Sequence, residues 1–447
     1  MTSTVRRAGA FALVGMLSLV VPIATRGTGP ATATIVGTAP FILVAALALY
    51  AFDEGPVFEL FARPGDRRDG RLYGLAGFSL AVAALALLAL QFRLPVTVFL
   101  ATVFVLSYGN LAEQLVAATG SEEVLATFGF VVGGFVLGVG AELAAVALTP
   151  ESFPLPSLLF FAATGALLAS LLRAVLFARD DPLVLVTVAL LLWLFADLNV
   201  AVSTERIAVA LAITVILGWV SYALETASLP GMITGVLLGL LTIVLGDYGW
   251  FAMLISFFGL GALSTKFRYE EKQARGIAQE NEGARGTGNV LANSLTALVA
   301  VVGAAASPTH LPLPPAVFLF AFAGSVAAAM SDTLSSEIGG LYDNPRLITT
   351  LERVPPGTDG GVTWQGELAG LAGAALVAAI AVAFESIGGA SAGVVVLAGA
   401  VGMTTDSLLG ATVEGRWLGN QGVNFLATFV AAVAGGAVAI AVGIAPL

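Results

Sequence analysis

The sequence predicts an all-α, polytopic membrane protein. Of its 447 residues, 58% are hydrophobic and only 11% are charged, whereas soluble domains have roughly 25% charged residues. Apolar stretches of about 20 residues, the length needed to cross a bilayer, recur along the whole chain. They lack the alternation of barrel strands, and backbone amides in hydrocarbon must be bonded within their own segment, so helices are the expected spanning element.

Each predicted helix is an apolar run bounded by charged residues, proline or glycine. About 15 spans meet the length criterion. They are residues 8–24, 32–52, 72–91, 95–108, 124–148, 157–177, 183–196, 206–223, 231–245, 249–263, 290–306, 314–331, 367–384, 389–404 and 423–444. We expect an N-terminal membrane region, residues 1–205, and a C-terminal one, residues 206–447.

Basic residues predict the orientation. They cluster at Arg6 and Arg7, at residues 63–71 and at residues 266–285, and such clusters mark cytoplasmic segments. Even numbers of predicted spans separate them, so all three lie on one face. The sequence therefore predicts a multi-pass protein of the cell membrane with a cytoplasmic N-terminus. The polar segments of the C-terminal half fall on the same cytoplasmic face.

The charge balance limits the function classes. The net charge is −10, and Lys266 and Lys272 are the only lysines among 19 basic residues. This acidic, lysine-poor composition is halophile-like and argues against nucleic acid as a partner. The absence of cysteine excludes disulfides, thiolate nucleophiles and Cys-ligated zinc. The single histidine, His310, stands in a short turn and favours a structural role.

A charged segment follows the tenth predicted helix. It runs from Ser264 through a Gly-rich stretch, Glu282 to Gly288, and ends in Asn289 and Asn293. Backbone amides at a helix start, with Arg285 nearby, are typical of an anion-binding loop. A solvated, charged linker is the alternative.

Two helix ends share a pattern of hydroxyl, aspartate, hydroxyl and leucine. Ser331-Asp-Thr-Leu334 follows one apolar run and Thr405-Asp-Ser-Leu408 follows another. The first also offers Glu337, which needs a helix break to meet Asp332. One carboxylate from each end would form a divalent-metal site that suits Mg²⁺. N-capping by Ser331 or Asp332 and chance repetition are the alternatives.

Two further patterns concern glycine. Arg353-Val-Pro-Pro-Gly-Thr-Asp-Gly-Gly-Val362 leads into a helix as either a phosphate cradle or a tight turn. Gly134-x-x-x-Gly138 and Gly235-x-x-x-Gly239 predict close helix packing.

Residues from about 225 to the C-terminus resemble the integral-membrane phytyl-phosphate kinase family, long described as a domain of unknown function and related to phytol and dolichol kinases. The matching stretches are Leu263–Arg268, Gly283–Asn293, Ser331–Gly339, Pro345–Thr350, Val354–Val362, Asp406–Thr412 and Asn420–Leu426. The resemblance as a whole covers about half of the chain.

The resemblance implies an enzyme that transfers a phosphoryl group from a nucleoside triphosphate, CTP in related lipid kinases, to an isoprenoid monophosphate. It implies that Asp332, Glu337 and Asp406 are catalytic and hold Mg²⁺. Phosphate contacts would come from Lys266, Arg268, Arg285, Arg346 and Arg353. The nucleotide or acceptor would be cradled by Asn293, Gly357, Thr358, Gly360, Gly361 and Asn424, and the lipid tail would lie between helices.

Ser107-Tyr-Gly-Asn-Leu-Ala-Glu-Gln-Leu115 resembles a decayed copy of such a site. Asn110 stands where related lipid kinases have aspartate, so residues 1–205 are expected to be a structural or lipid-binding companion. Two other functions remain open at this point. The many helices and the repeated pattern also suit a lipid-phosphate transporter or flippase, and a CTP-dependent lipid nucleotidyltransferase would need similar groups.

Overall fold

The structure is a computed structural model and describes residues 3–176, 180–278, 286–307, 309–385 and 387–446. Contacts divide the chain into two units, Met1–Ala208 and Val209–Leu447. The sequence places this boundary at residues 205 and 206. Within the described residues, fourteen helices are long and apolar enough to cross a membrane, and Leu229–Leu245 is a shorter apolar helix. The predicted all-α, polytopic fold is therefore confirmed.

The helices of the first unit begin near the N-terminus. They are α1 Ser3–Met16, α2 Val20–Gly27, α3 Pro30–Tyr50, α4 Gly55–Phe61, α5 Pro64–Asp69, α6 Tyr73–Gln91, α7 Val96–Ala117, α8 Glu123–Leu148, α9 Leu155–Val175 and α10 Asp181–Leu198. Helix α11, Thr204–Ala223, crosses the boundary. Helix α7 is central, because α1, α6, α8, α9 and α10 all pack on it.

The second unit continues with α12 Leu229–Leu245, α13 Tyr248–Lys266, α14 Tyr269–Ala274, α15 Thr287–Ala306, α16 Pro315–Gly339, α17 Trp364–Glu385, α18 Gly389–Thr412 and α19 Asn420–Ala441. Helix α16 is central here and contacts α13, α15, α17, α18 and α19. Strands β1 Arg346–Leu347 and β2 Gly361–Val362 pair antiparallel between α16 and α17.

Three helices extend past their predicted ends. Helix α7 continues to Ala117, α16 to Gly339 and α18 to Thr412. The predicted ends mark where the apolar run stops, but a helix that leaves hydrocarbon continues as long as its backbone bonds are kept. The Asp332 and Asp406 motifs therefore lie on the last turns of helices and not in loops.

Glycine allows close packing around α16. A β-carbon added at Gly366 of α17 would lie 2.7 Å from Ser335 O, and one at Gly324 of α16 would lie 2.8 Å from Ala431 O of α19. Such spacing leaves backbone against backbone, as in small-residue helix interfaces in membranes. The relative positions of the ends of α16, α17 and α19 are thus set by main chain.

The two glycine pairs differ. Gly134 and Gly138 both pack, against Val105 and against α9, as predicted. Gly239 also packs, because a β-carbon added there would lie 2.5 Å from Thr214 Cγ2. By contrast, nothing lies within 4 Å of a β-carbon added at Gly235. The packing prediction is wrong for Gly235, which faces open space.

Candidate functional site

Two carboxyl groups meet at the ends of α16 and α18. A hydrogen bond joins Asp332 and Asp406. Because like charges in contact repel, such a pair needs a shared proton or a cation between its oxygens. The repeated helix-end pattern predicted this meeting, and α18 lies directly against α16.

The amide of Asn424 supports this pair from α19. In the orientation that satisfies both of its polar atoms, its nitrogen donates to Asp406 Oδ1 at 3.2 Å and to the Asn420 carbonyl at 3.3 Å. Asn424 is 8% exposed, so its rotamers are restricted by packing. A donor held in this way fixes one oxygen of Asp406 and leaves the other to face Asp332 or a ligand.

Two more carboxylates act on Asp406. Asp359, in the loop between β1 and β2, and Glu414, just beyond α18, both contribute negative charge. Burial raises the pKa of Glu414, the charge of Asp359 raises it further, and a hydrogen bond with Asn420 lowers it. Neither residue was among the predicted site residues, although Asp359 lies in the matched Pro/Gly stretch.

The β-hairpin is seated on α18 by glycine. Gly360 has φ +73°, and an added β-carbon would lie 2.5 Å from Ser407 O and 2.6 Å from Ala411 N. Gly410 of α18 lies opposite Gly360, since a β-carbon added at Gly410 would lie 3.0 Å from Gly360 N. Without side chains at both positions the loop lies directly on the last turns of α18. Both proposed uses of this loop, cradle and tight turn, are compatible with that geometry.

Hydrogen bonds hold the hairpin in shape. Ile348 N donates to Gly360 O at 3.0 Å, Val354 N to Pro345 O at 3.0 Å, and Thr358 Oγ1 to Pro355 O at 2.8 Å. Gly361 pairs with Leu347 in the ladder. Gly357 has φ +80° and packs against Ile277.

Both arginines of the hairpin are exposed. Arg346 and Arg353 form an antiparallel bridge, and Arg346 Nη1 donates to Leu351 O at 2.6 Å. They thus lie on the same small element as Asp359 and Gly360. That element presents cationic groups beside an acidic helix end.

Glu337 is engaged elsewhere. Helix α16 is continuous, so the expected break between Asp332 and Glu337 is wrong, and five residues of helix turn the two side chains roughly 140° apart. Glu337 forms a buried ion pair with Lys272 and accepts from Thr265 Oγ1 at 3.0 Å. Lys272, 1% exposed, also donates to Ser264 O at 2.6 Å. Glu337 is therefore not brought to the aspartates.

Three other predicted residues bond to groups away from the acidic pair. Lys266 Nζ donates to Leu224 O at 2.7 Å, Arg268 pairs with Glu271, and Asn293 Nδ2 donates to Asn289 O at 2.9 Å within α15. Arg285 and most of its Gly-rich stretch lie outside the described residues.

The carboxylate oxygens of Asp332 and Asp406 supply part of the ligand set that a hard cation needs. Carboxylate oxygens are what Mg²⁺ takes, usually one or two of them together with substrate phosphates. Within the described ranges, no group of three or more His, Cys, Asp or Glu side chains is arranged to hold a metal by itself. Asp332 and Asp406 therefore suit a magnesium site whose remaining oxygen ligands come from the phosphates of a bound substrate.

Comparison with known proteins identifies the C-terminal unit. Residues 212–432 match the integral membrane protein family DUF92. A membrane protein of Synechocystis, described as uncharacterized, is 35% identical over 210 residues, which are 45% of this chain and 77% of that protein. One from Methanocaldococcus jannaschii, described likewise, is 36% identical over 208 residues, 46% of this chain and 82% of that protein. The chain belongs to the DUF92 family.

A plant relative extends the comparison. Protein VTE6, chloroplastic, of Arabidopsis thaliana is 31% identical over 210 residues, 44% of this chain and 61% of that protein. No solved structure gives a significant match. The DUF92 region contains the acidic pair, the hairpin and Asn424, so the family resemblance noted in the sequence is confirmed and every residue of the candidate site falls inside it.

The motif of the first unit has a different environment. Arg173 Nη2 of α9 donates to Asn110 Oδ1 and to Glu113 Oε2, both at 2.9 Å, and Arg173 lies 3.6 Å from Asp181. Arg63 pairs with the same aspartate. The polar end of α7, outside the DUF92 region, is therefore an ion-pair network.

Proposed function

We propose that this chain is a membrane-embedded kinase that transfers a phosphoryl group from a nucleoside triphosphate to an isoprenoid monophosphate, giving the diphosphate. The observation that carries the proposal is the contact between Asp332 and Asp406 at two neighbouring helix ends. The resemblance to phytyl-phosphate kinases and the DUF92 match support the same reaction class.

The reaction asks little covalent chemistry of the protein. An oxygen of the acceptor phosphate attacks the γ-phosphorus, the bond from that phosphorus to the β-phosphate oxygen breaks, and the nucleoside diphosphate leaves. The acceptor oxygen is already ionised near neutral pH, so no base has to remove a proton. Catalysis then depends on positioning and charge neutralisation.

Each part of the site has a role in this proposal. Asp332 and Asp406 would hold Mg²⁺, which would neutralise charge on the nucleotide phosphates. Asn424 orients Asp406. The hairpin would cover the nucleotide, with Gly360 and Gly361 bringing main-chain amides close and Arg346 and Arg353 contacting phosphate oxygens.

The proposal gives other residues supporting roles. Because Lys272 already neutralises Glu337, Glu337 would position the end of α13 instead of binding metal. Thr265, in the last turn of α13, donates a hydrogen bond to Glu337 and would share in this positioning, whereas Lys266 would contact phosphate. The membrane face that carries Asp332, Asp406 and the hairpin would be cytoplasmic.

The test is an assay on purified full-length protein in nanodiscs. We expect MgCl₂, CTP and radiolabelled geranylgeranyl phosphate to give the diphosphate, with ATP, GTP and UTP assayed in parallel and EDTA as the blank. Mass spectrometry of the lipid product distinguishes phosphoryl transfer from transfer of a nucleotide. Formation of CDP-lipid, or absence of product with all four nucleotides, would contradict a kinase.

A further inference from the structure

A groove opens between α11, α12 and α13 of the second unit. Its volume is about 530 Å³, within the range of about 300–1,000 Å³ that encloses one small ligand. Apolar side chains such as Leu217, Met232, Leu254 and Phe258 line it. Leu263, also in its wall, is 68% exposed, so the groove reaches the surface of the unit.

Missing side chains create this space. Gly235 of α12 and Gly259 of α13 both line the groove, and a β-carbon added at either would have nothing within 4 Å. By contrast, Gly218 packs, because a β-carbon there would lie 2.7 Å from Val236 Cγ2. Helices α11 and α12 therefore touch at Gly218, whereas open space lies beside Gly235 and Gly259. Any side chain at Gly235 or Gly259 would project into the groove.

One end of the groove is cationic. Lys266, the last residue of α13, lines it and is exposed. Its bond to Leu224 O uses one of the three N–H donors of an ammonium group. An anion at this end would complete its coordination, whereas the rest of the wall has no comparable charge.

The groove wall connects to the acidic pair. Val290, in the first turn of α15, also lines the groove. Two residues earlier, Gly288 packs against the side chain of Gln421, 2.6 Å from a β-carbon added there. Gln421 lies in the first turn of α19, one turn before Asn424, which binds Asp406. The start of α15 therefore separates the groove from the acidic pair by the thickness of one helix.

We propose that this groove binds the hydrocarbon chain of a single-chain isoprenoid phosphate, with Lys266 at the phosphate end and with Gly235 and Gly259 setting the longest chain accepted. This inference rests on the proposed function. The methyl branches of an isoprenoid need a wider channel than a linear chain does, and the open space at the two lining glycines, Gly235 and Gly259, provides it. The occupant is an anionic lipid with one chain.

Binding can be tested without chemistry. Purified full-length protein is photolabelled with a benzophenone ether of farnesyl phosphate in the absence of nucleotide, and labelled peptides are mapped by mass spectrometry. Labels in α11, α12 or α13, displaced by geranylgeranyl phosphate and not by two-chain phosphatidic acid, support the groove. Labels confined to other helices, or equal displacement by phosphatidic acid, overturn it.

Matched variants sharpen this test. Gly259→Leu and Gly235→Leu should each reduce labelling at least about tenfold, because a leucine side chain would fill the space that the lipid chain is proposed to occupy. Gly393→Leu is the control, since Gly393 is also helical with nothing within 4 Å of an added β-carbon but lies on α18, outside the groove. Equal labelling of control and groove variants overturns the inference. Gel filtration and thermal melting check that each variant is folded.

The polar end has its own variant. Lys266→Gln should weaken labelling by the phosphate probe and leave labelling by the corresponding farnesol probe unchanged, with Lys266→Arg restoring it. Equal loss for both probes would contradict a phosphate contact by Lys266.

Kinase turnover gives a separate readout. In Gly235→Leu the ratio of KM for geranylgeranyl phosphate to KM for geranyl phosphate should rise, and an unchanged ratio would contradict a length limit at Gly235. If the wild-type chain forms no diphosphate, the proposed function fails, while the labelling pattern still decides whether the groove binds the lipid.

Discussion

The central helices of the two units, α7 and α16, end in polar residues that are neutralised in different ways. At the end of α7, Asn110 and Glu113 are bonded to Arg173. At the end of α16, Asp332 instead meets a second carboxyl group, Asp406. Paired opposite charges are satisfied within the protein, whereas paired like charges require a proton or an outside cation. The first arrangement suits stability and the second suits ligand binding.

The largest effect is expected from removing the acidic pair. Asp406→Asn and Asp332→Asn should each lower kcat at least about 1,000-fold, at the upper end of what one electrostatic contact contributes. Their melting temperatures should stay the same or rise, because repulsion is removed. Glu113→Gln in the first unit should show the opposite pattern, a lower melting temperature with kcat unchanged. If Glu113→Gln abolishes turnover, the assignment of roles to the two units is wrong.

Breaking the buried ion pair of the second unit should mainly affect stability. Lys272→Met leaves the Glu337 carboxylate buried without its cation and should destabilise the fold by about 3 kcal/mol, as for other broken buried pairs. The double variant Lys272→Met/Glu337→Gln should recover most of this loss.

Thermal unfolding in detergent measures both variants. Arg275→Gln is the control, since its partners Asp343 and Glu271 have side chains that are 76% and 31% exposed and solvent-accessible pairs contribute about 0–1 kcal/mol. A Glu337→Gln single variant that keeps its stability and loses Mg²⁺ dependence would instead support the metal role first predicted for Glu337.

Two glycine substitutions distinguish the contact between the hairpin and α18 from the energetic cost of a left-handed backbone conformation. Gly360 and Gly415 have φ values of +73° and +71°, but only Gly360 is crowded by α18. Gly415→Ala should cost about 1–2 kcal/mol for the left-handed conformation alone. Gly360→Ala should cost more and raise KM for the nucleotide, because the loop must move off Ser407 O. Equal effects in thermal melting and nucleotide KM would show that the contact is unimportant.

The smallest effect concerns Glu414. Its pKa is raised above the ordinary value of 4.5 by burial and by Asp359, so the folded state binds the proton more tightly than the unfolded state. Protonated Glu414 therefore stabilises the fold at pH values below its ordinary pKa. This stabilisation is lost as the pH rises through the pKa that Glu414 has in the folded state. Glu414→Gln should therefore melt slightly higher than wild type at neutral pH and equally at acidic pH. A lower melting temperature at neutral pH would contradict this sign.

Local sequence patterns predicted most of the helices and part of the site. Apolar runs of bilayer length located the spans, and the repeated aspartate motif predicted that Asp332 and Asp406 meet. Apolar runs could not show where α16 and α18 end, because polar residues also continue a helix. The partner of Glu337 is Lys272, 65 residues away, and no periodicity links them. Gly235 and Gly239 look identical in sequence, and only the neighbouring helices distinguish packing from open space.

The glycine contacts around α16 limit how its neighbouring helices can move. Where Gly366 and Gly324 bring main chain against main chain, a tilt of one helix would force backbone atoms of its neighbour apart, with no side chain to absorb the change. The ends that carry the carboxyl groups are therefore held as a fixed platform. We therefore expect rearrangement around a ligand to fall to the hairpin, which is seated on α18 through Gly360.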